Sequence, residues 1–248
     1  MVNWFESYLK LSETQRSDLN IKVDNFFAWH RQSELPKTVL FLEKLKVRYK
    51  NGIDKQDINW IRSELNFFLI RVLKYAEADI VSFLLTIDDY QVLEAKEKLS
   101  KKEDDWLIEQ SKMSFEELRE HTLERSYDFF DEWLGSLKSD QKQIIATWVQ
   151  PDPNWVAVRL RNRDKFQSDL IDLLKSKELL KTNIHSWIND PESHWTDEYK
   201  RVIESKRQEW EMITLMLDAN TLPRQREHAI DKLSQYIEDF RELTNVDD

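Results

Sequence analysis

The sequence predicts an all-α protein, an irregular multi-helix bundle of roughly ten helices with no sheet. Turn residues give the first reason, because 248 residues contain only two glycines and five prolines. A β-rich fold needs a turn signal about every 8 to 12 residues, whereas helices need one only at their ends. Composition gives the second reason, since 34% charged and 40% hydrophobic residues suit amphipathic helices. We therefore expect residues 1–248 to form a single all-helical domain, with a possible seam near Gly135 between two halves.

Capping residues predict where several helices start. Met1 to Leu9 is expected to form a short first helix. Ser12 with Gln15, and Ser114 with Glu117, match the capping box, in which the two side chains bond to each other's backbone N–H groups. These pairs predict that one helix begins just after Ser12 and another just after Ser114.

Other boundaries are predicted from proline and glycine. Ser33 is predicted to cap a helix that carries Pro36 in its first turn, where proline is tolerated. Gly52 and Gly135 are predicted helix stops, because glycine adopts the positive φ that often ends a helix without strain.

An aliphatic residue stands four positions before a glutamine at several predicted helix starts. The pairs are Leu11/Gln15, Ile87/Gln91 and Leu137/Gln141, and Thr221/Gln225 is a looser version. Either capping chemistry has produced similar strings independently, or a helix-hairpin unit has been duplicated. The irregular spacing of the pairs disfavours a regular solenoid.

The most apolar stretch of the chain, Leu65 to Leu85, predicts a buried central helix. Its length suits a membrane span, but Arg71, Lys74, Glu77 and Asp79 interrupt it. Apolar side chains around the whole circumference are typical of a helix that is covered on most sides.

Charge and missing motifs narrow the classes of function. A net charge of −10 disfavours binding to nucleic acid and adsorption to anionic lipid. The chain contains no cysteine, which removes disulfides, thiolate metal sites and cysteine nucleophiles. Two isolated glycines cannot form a phosphate-binding or dinucleotide-binding loop. No His-Glu-x-x-His or Glu-x-x-His string is present, so we expect neither a cofactor nor a metal.

The sequence resembles a family of bacterial lipoproteins of unknown function. The resemblance at the start rests on Leu11-x-x-x-Gln15, Phe27-x-Trp29-His30-Arg31 and Glu34–Leu35–Pro36, and in the middle on Trp133–Leu134–Gly135, Leu137-x-x-x-Gln141 and Trp148. It implies a helical periplasmic protein, anchored to the outer membrane by an acylated N-terminal cysteine. No signal peptide or cysteine is found in this sequence, so the anchor is either removed or absent. The family supplies no catalytic residues.

The resemblance leads us to expect a non-enzymatic periplasmic lipoprotein whose helical surfaces bind another envelope protein or component. One alternative is a periplasmic chaperone, because the Leu-x-x-x-Gln strings are similar to a short Leu-Thr-x-x-Gln motif of helical stress chaperones. A second alternative is a cell-wall glycan-acting enzyme, which would require a cleft with two converging carboxylates.

Nine residues are candidates for an interaction surface or a structural corner: Gln15, Trp29, His30, Arg31, Trp155, Arg159, Arg163, Trp187 and Trp195. The first four lie in the segment that carries the resemblance, and His30 is expected to be a buried structural histidine. Trp155, Trp187 and Trp195 lie near prolines that break helices, and they are candidates to line a groove. The alternative is that they pack in the core.

Charged candidates have simpler alternatives. Arg159 and Arg163 stand one turn apart and suit a carboxylate or phosphate, although salt bridges to acidic helices explain them as well. Glu117 and His121 are spaced to share a divalent metal, but a solvated charged face is the simpler interpretation. His185 and His194 flank the turn that contains Pro191. Either the two side chains converge on one site, or they lie on a surface turn without a shared role.

Overall fold

The computed structural model describes residues 6–149 and 154–245, without the side chains of residues 102–104, 106–111 and 245. Within these residues the chain forms ten α-helices and no strand, which confirms the predicted all-α fold. The helices are α1 (Glu13–Trp29), α2 (Leu35–Tyr49), α3 (Lys55–Leu84), α4 (Asp89–Ser111), α5 (Phe115–Leu134), α6 (Ser139–Trp148), α7 (Trp155–Lys175), α8 (Lys177–Asn189), α9 (Asp197–Ala219) and α10 (Pro223–Asn245). A π-helix (His30–Glu34) joins α1 to α2, and a 3₁₀-helix (Pro191–His194) follows α8. Residues 1–5 of the predicted first helix lie outside the described residues.

The predicted capping boxes are confirmed. At the start of α1, the Gln15 N–H donates to Ser12 Oγ at 3.2 Å, and the Ser12 N–H donates to Gln15 Oε1 at 3.0 Å. At the start of α5, Ser114 and Glu117 bond in the same reciprocal way. Gly135 ends α5 with a φ of 74°, as a glycine stop requires.

The chain forms two compact units, each assembled from three separate stretches. Unit A contains residues 6–29, 69–112 and 154–201, and unit B contains 30–68, 113–149 and 202–245. Helices α3 and α9 therefore contribute one end to each unit. Gly135 lies inside unit B, and the predicted single domain with a seam near it stays a prediction.

Each unit has its own apolar core. Around the start of α1, unit A buries Leu9, Leu19, Phe83, Ile87, Val92, Ala95 and Ile171. Its second cluster, on α7 and α8, consists of Leu173, Leu180, Ile184 and Ile188. Unit B buries Leu123, Phe130, Ile145, Ile213 and Leu217 on α5, α6 and α9.

The predicted N-cap at Ser33 is wrong. Ser33 lies inside the π-helix, and no side-chain cap is formed before α2. In a regular α-helix the ring of Pro36 would collide with the carbonyl group four residues earlier, that of Gln32. The wider π turn, which ends two residues before Pro36, provides room for the ring. Helical structure therefore runs from Glu13 to Tyr49 without a cap between its parts.

The predicted helix over Leu65 to Leu85 is confirmed up to Leu84, but its predicted burial is wrong. Phe83 is the only buried residue of α3, whereas Leu65, Phe67 and Leu69 are 54%, 56% and 49% exposed. The apolar circumference of α3 is thus only partly covered by its neighbours. None of the helices, over the residues described, combines the length and the apolarity that crossing a bilayer requires.

Gln15 and Gln91 form a reciprocal pair of side-chain amides in unit A, which we call clasp A. Gln15 Nε2 donates to Gln91 Oε1 at 3.0 Å, and Gln91 Nε2 donates to Gln15 Oε1 at 2.8 Å. Gln15 Nε2 also donates to the Thr86 carbonyl, and Gln91 Nε2 also donates to the Lys10 carbonyl. The pair joins the start of α1 to the turn between α3 and α4.

Gln141 and Gln225 form the same arrangement in unit B, which we call clasp B. Their two reciprocal amide bonds are both 2.9 Å long. Gln141 Nε2 also donates to the Asn220 carbonyl at 3.0 Å, and Gln225 Nε2 donates to the Ser136 carbonyl at 3.1 Å. Clasp B thereby joins the turn between α5 and α6 to the turn between α9 and α10.

The two clasps use equivalent positions in sequence. Each amide nitrogen donates to the carbonyl five residues before the partner glutamine. Each amide oxygen accepts from the backbone N–H three residues before its own glutamine, namely those of Ser12, Asp88, Lys138 and Leu222. Every donor and acceptor of these four amides is therefore used, as burial to 9% exposure or less demands. Independent caps have no reason to pair in the same way twice, so the shared pattern favours the duplication interpretation.

Candidate functional site

Unit B contains an apolar cavity of about 310 Å³. Its walls come from α2, the turn after α2, α3, α5, α9 and α10, all within this unit. The apolar lining consists of Leu45, Ile53, Ile61, Phe129, Phe130, Trp133, Leu134, Trp210, Leu217, Ala229 and Leu233. A space of this size lies at the lower end of the range for small-molecule pockets, about 300 to 1,000 Å³.

Two aromatic residues of the lining are partly open to solvent. Phe129 is 48% exposed and Trp210 is 40% exposed, and both line the cavity. Their rings meet edge to face with centroids 5.7 Å apart, and Phe130 contacts Trp210 at 5.4 Å. An apolar ligand would cover these rings on entering, which the hydrophobic effect favours.

A partly buried ion pair lies beside the cavity. The Arg226 guanidinium donates from Nη1 to Asp218 Oδ1 at 2.9 Å and to the Tyr49 carbonyl at 2.9 Å, and its Cζ lies 4.8 Å from the centroid of the Tyr49 ring. The side chains of Arg226 and Asp218 are 18% and 12% exposed. Because both charges are paired and hydrogen-bonded, their burial is tolerated.

Burial raises the pKa of the Tyr49 phenol above its ordinary value. The Arg226 charge opposes this effect, the Asp218 carboxylate adds to it, and a hydrogen bond with the Thr221 side chain opposes it. Tyr49 therefore stays a neutral hydroxyl group at neutral pH.

Gly52 permits the chain to approach Asp218 closely. Its φ is 94°, and a Cβ added to it would lie 2.7 Å from Asp218 Oδ2. The N–H of the next residue, Ile53, donates to the same oxygen at 3.1 Å. The predicted helix stop at Gly52 thus has a second role, since it brings a backbone donor to the carboxylate.

Thr221 links the cavity to the glutamine pattern. In three of the four helix starts the position four residues before the glutamine is aliphatic, whereas the fourth has Thr221, which lines the cavity. A threonine is shorter than leucine or isoleucine and leaves room at this position. The looser match at Thr221 was the one sequence signal that could have located the cavity.

The first four candidate residues do not form one site. Gln15 belongs to clasp A at the start of α1, and Trp29 lies about 21 Å further along the same helix at 1.5 Å per residue. Trp29 stacks on Tyr75 with ring centroids 3.8 Å apart and an interplanar angle of 4°. His30 and Arg31 lie in the π-helix and belong to unit B. His30 is partly buried, so the prediction of a buried histidine is not fully met.

The candidate tryptophans of unit A pack against other aromatic rings. Trp155 stacks on Tyr199 at 5.8 Å, and Trp195 meets the same ring edge to face at 5.0 Å. Trp187 contacts Phe166 at 5.1 Å and His194 at 4.2 Å. These contacts correspond to the core-packing alternative rather than to an open groove.

The bidentate ion pair of this segment is formed by Arg161, which lies between the candidates Arg159 and Arg163. Arg161 Nε and Nη2 donate to the two carboxylate oxygens of Glu198 at 3.0 and 2.7 Å. The Arg161 guanidinium lowers the pKa of the Glu198 carboxyl below its ordinary range. Lys165, in the same segment, pairs with Asp169.

The histidine candidates have separate surroundings. His185 Nδ1 lies 3.1 Å from Glu77 Oε1, whereas His194 packs against Trp187. Burial lowers the pKa of the His194 imidazole. Glu117 is used by the capping box of α5. Among the described residues, no group of three or more histidine or acidic side chains is placed to hold a metal ion.

A larger and more polar cleft beside α5 and α10 is lined by acidic side chains, but two of them already have partners. The Asp131 carboxylate accepts from the Leu137 N–H at 2.6 Å, and Glu132 pairs with Lys232 at 2.6 Å. The apolar cavity is therefore the stronger candidate site. None of the nine residues chosen from sequence lines it.

A family model described as Family of unknown function (DUF6279) matches residues 7–200, a range that includes all of clasp A and nearly all of unit A. No curated protein and no solved structure matches the chain.

Proposed function

The chain belongs to DUF6279, a family of unknown function, and from that premise we propose that it is a non-enzymatic binding protein of the bacterial envelope. In this proposal its cavity in unit B holds an apolar group of another envelope component. The observation that carries the proposal is the 310 Å³ apolar cavity with the partly exposed Phe129 and Trp210 at its surface. Leaving such rings open to water is unfavourable unless a ligand covers them.

Binding is favoured over glycan hydrolysis by the contents of the cavity. Hydrolysis of a glycosidic bond needs two carboxyl groups on either side of the bond. Asp218 is the one carboxylate among the residues lining the cavity, and Arg226 and the Ile53 N–H already bond to it. The glycan-acting and chaperone alternatives stay predictions.

The periplasmic location and the outer-membrane anchor are further parts of the proposal, supported by the resemblance of the segment around Trp29 to Pro36 to the lipoprotein family. We expect that cells expressing the gene with its own upstream sequence, fed radioactive palmitate, will carry the label on this protein in the outer-membrane fraction. Unlabelled protein in the cytosolic fraction would contradict this location, whereas it would leave binding in the cavity untouched.

The binding function is tested by filling the cavity. Ala229 is 3% exposed and lines the cavity on α10, so Ala229→Leu adds a side chain to the space a ligand would occupy. We expect the neutral fluorescent probe N-phenyl-1-naphthylamine to bind the wild type, and to bind Ala229→Leu at least about tenfold more weakly, a change of about 1.4 kcal/mol.

The matched control is Ala78→Leu, which makes the same change at an exposed alanine of α3 in unit A and should bind the probe as the wild type does. Thr221→Leu is a second filling variant, since it introduces the aliphatic residue found at the other three helix starts. Circular dichroism checks that each variant keeps its helices. Equal probe binding by all four proteins, or none by the wild type, would refute the proposed function.

A further inference from the structure

The polar side chains of the cavity lie close together. Four of the lining residues are polar, namely Tyr49, Thr214, Asp218 and Thr221. Tyr49 lies close enough to Asp218 and Thr221 for both to act on its phenol. Thr214 stands one helical turn before Asp218 on α9, so it lies on the same side of that helix. A ligand in the cavity would therefore have an apolar body and a single polar end.

Hydrogen bonds within the protein determine what this polar end can offer. Thr221 Oγ1 uses its hydrogen to bond to the Leu217 carbonyl at 2.8 Å, which leaves its oxygen as an acceptor. Asp218 has only acceptor oxygens. Arg226 donates to the Asp218 carboxylate, to the Asp218 carbonyl and to the Tyr49 carbonyl. The cavity end is therefore rich in acceptors and best matched by a group that donates.

Charge limits the ligand further. A ligand carboxylate cannot donate a hydrogen bond, and it would lie beside the Asp218 carboxylate in a poorly solvated space. A ligand cation would add a charge where Arg226 already balances Asp218. A neutral hydroxyl group can donate its one hydrogen to one of these acceptors and accept a hydrogen bond from the Tyr49 phenol without adding a buried charge. The small volume suits one alkyl chain rather than a length of polypeptide.

We propose that the cavity binds the alkyl chain of a neutral amphiphile whose hydroxyl group donates its one hydrogen to Thr221 Oγ1 and accepts a hydrogen bond from the Tyr49 phenol, beside the Asp218 carboxylate. This inference rests on the proposed function and names the ligand class for the same cavity.

The class of ligand is tested with two probes of equal chain length, 1-decanol and decanoate, at pH 7.5. Trp133 and Trp210 line the cavity, so tryptophan fluorescence reports binding. We expect 1-decanol to bind at least about tenfold more tightly than decanoate, because only the alcohol can donate without adding charge. Decanoate binding equally or more tightly would overturn the inference but leave the proposed function standing. Failure of both probes and of N-phenyl-1-naphthylamine would refute the proposed function itself.

Two variants test the hydroxyl contacts directly. Tyr49→Phe and Thr221→Val each remove one oxygen and keep most of the side chain. We expect each to weaken 1-decanol by about five- to tenfold, the value of one hydrogen bond. Tyr90→Phe, at a tyrosine that is 72% exposed in unit A, should bind both probes as the wild type does. Unchanged 1-decanol binding by both cavity variants would overturn the inference.

Discussion

Replacing Gln141 with leucine is expected to lower the free energy of unfolding by about 3 to 4 kcal/mol, because it leaves several buried groups without partners. Gln141 is 0% exposed and Gln225 is 2% exposed. Without Gln141, the Gln225 amide loses one hydrogen-bond donor and one acceptor. The Lys138 N–H also loses its acceptor, and the Asn220 carbonyl loses a donor. Urea unfolding, followed by circular dichroism, measures the loss.

Gln143→Leu is the matched control, since Gln143 is exposed on the same helix, and it should change stability by less than about 0.5 kcal/mol. The double variant Gln141→Leu/Gln225→Leu tests whether the two amides act as a pair. Its loss should be smaller than the sum of the single losses by about 1 to 3 kcal/mol, because no amide is then left unpaired. Additive losses would mean that clasp B contributes nothing as a pair.

Gly52→Ala is expected to lower the free energy of unfolding by about 2 to 4 kcal/mol, through backbone strain and a displaced carboxylate. The positive φ of 94° strains any residue with a Cβ. The added Cβ, 2.7 Å from Asp218 Oδ2, would also push the carboxylate away from the Ile53 N–H and from Arg226. Chemical denaturation of the purified variant measures the loss.

Gly135→Ala separates the two causes. Its φ of 74° is also positive, but the nearest atoms to an added Cβ belong to His228 and lie 3.8 Å away, at ordinary contact distance. We expect Gly135→Ala to show the strain alone, about 1 to 3 kcal/mol, and therefore a smaller loss than Gly52→Ala. Equal losses would show that the contact with Asp218 does not matter for stability.

The helix starts and stops were predicted from sequence because their causes are local. Ser12 with Gln15, and Ser114 with Glu117, act within four residues of one another, so reading the sequence is enough to find them. The π-helix was missed although its cause, Pro36, is also local. Proline is tolerated both after a cap and after a wider turn, and the sequence does not distinguish the two.

Features that depend on distant residues were not predicted. The glutamines of clasp A are 76 positions apart and those of clasp B are 84 apart, so each was visible only as a cap. The exposure of Leu65 and Phe67 was missed because periodicity identifies apolar faces but not how many neighbours cover them. The cavity was missed for a related reason, since an unfilled space has no sequence signature of its own beyond a short residue such as Thr221.

The three-segment composition of the units has a consequence for how the protein is made. Unit B needs residues from 30 to 245, and unit A needs residues up to 201, so a ribosome must synthesise most of the chain before either unit has all its parts. Contacts between such distant segments slow folding, and the nascent apolar faces stay uncovered meanwhile. A single proteolytic cut cannot release one unit intact from the other, because the segments of the two units alternate along the chain.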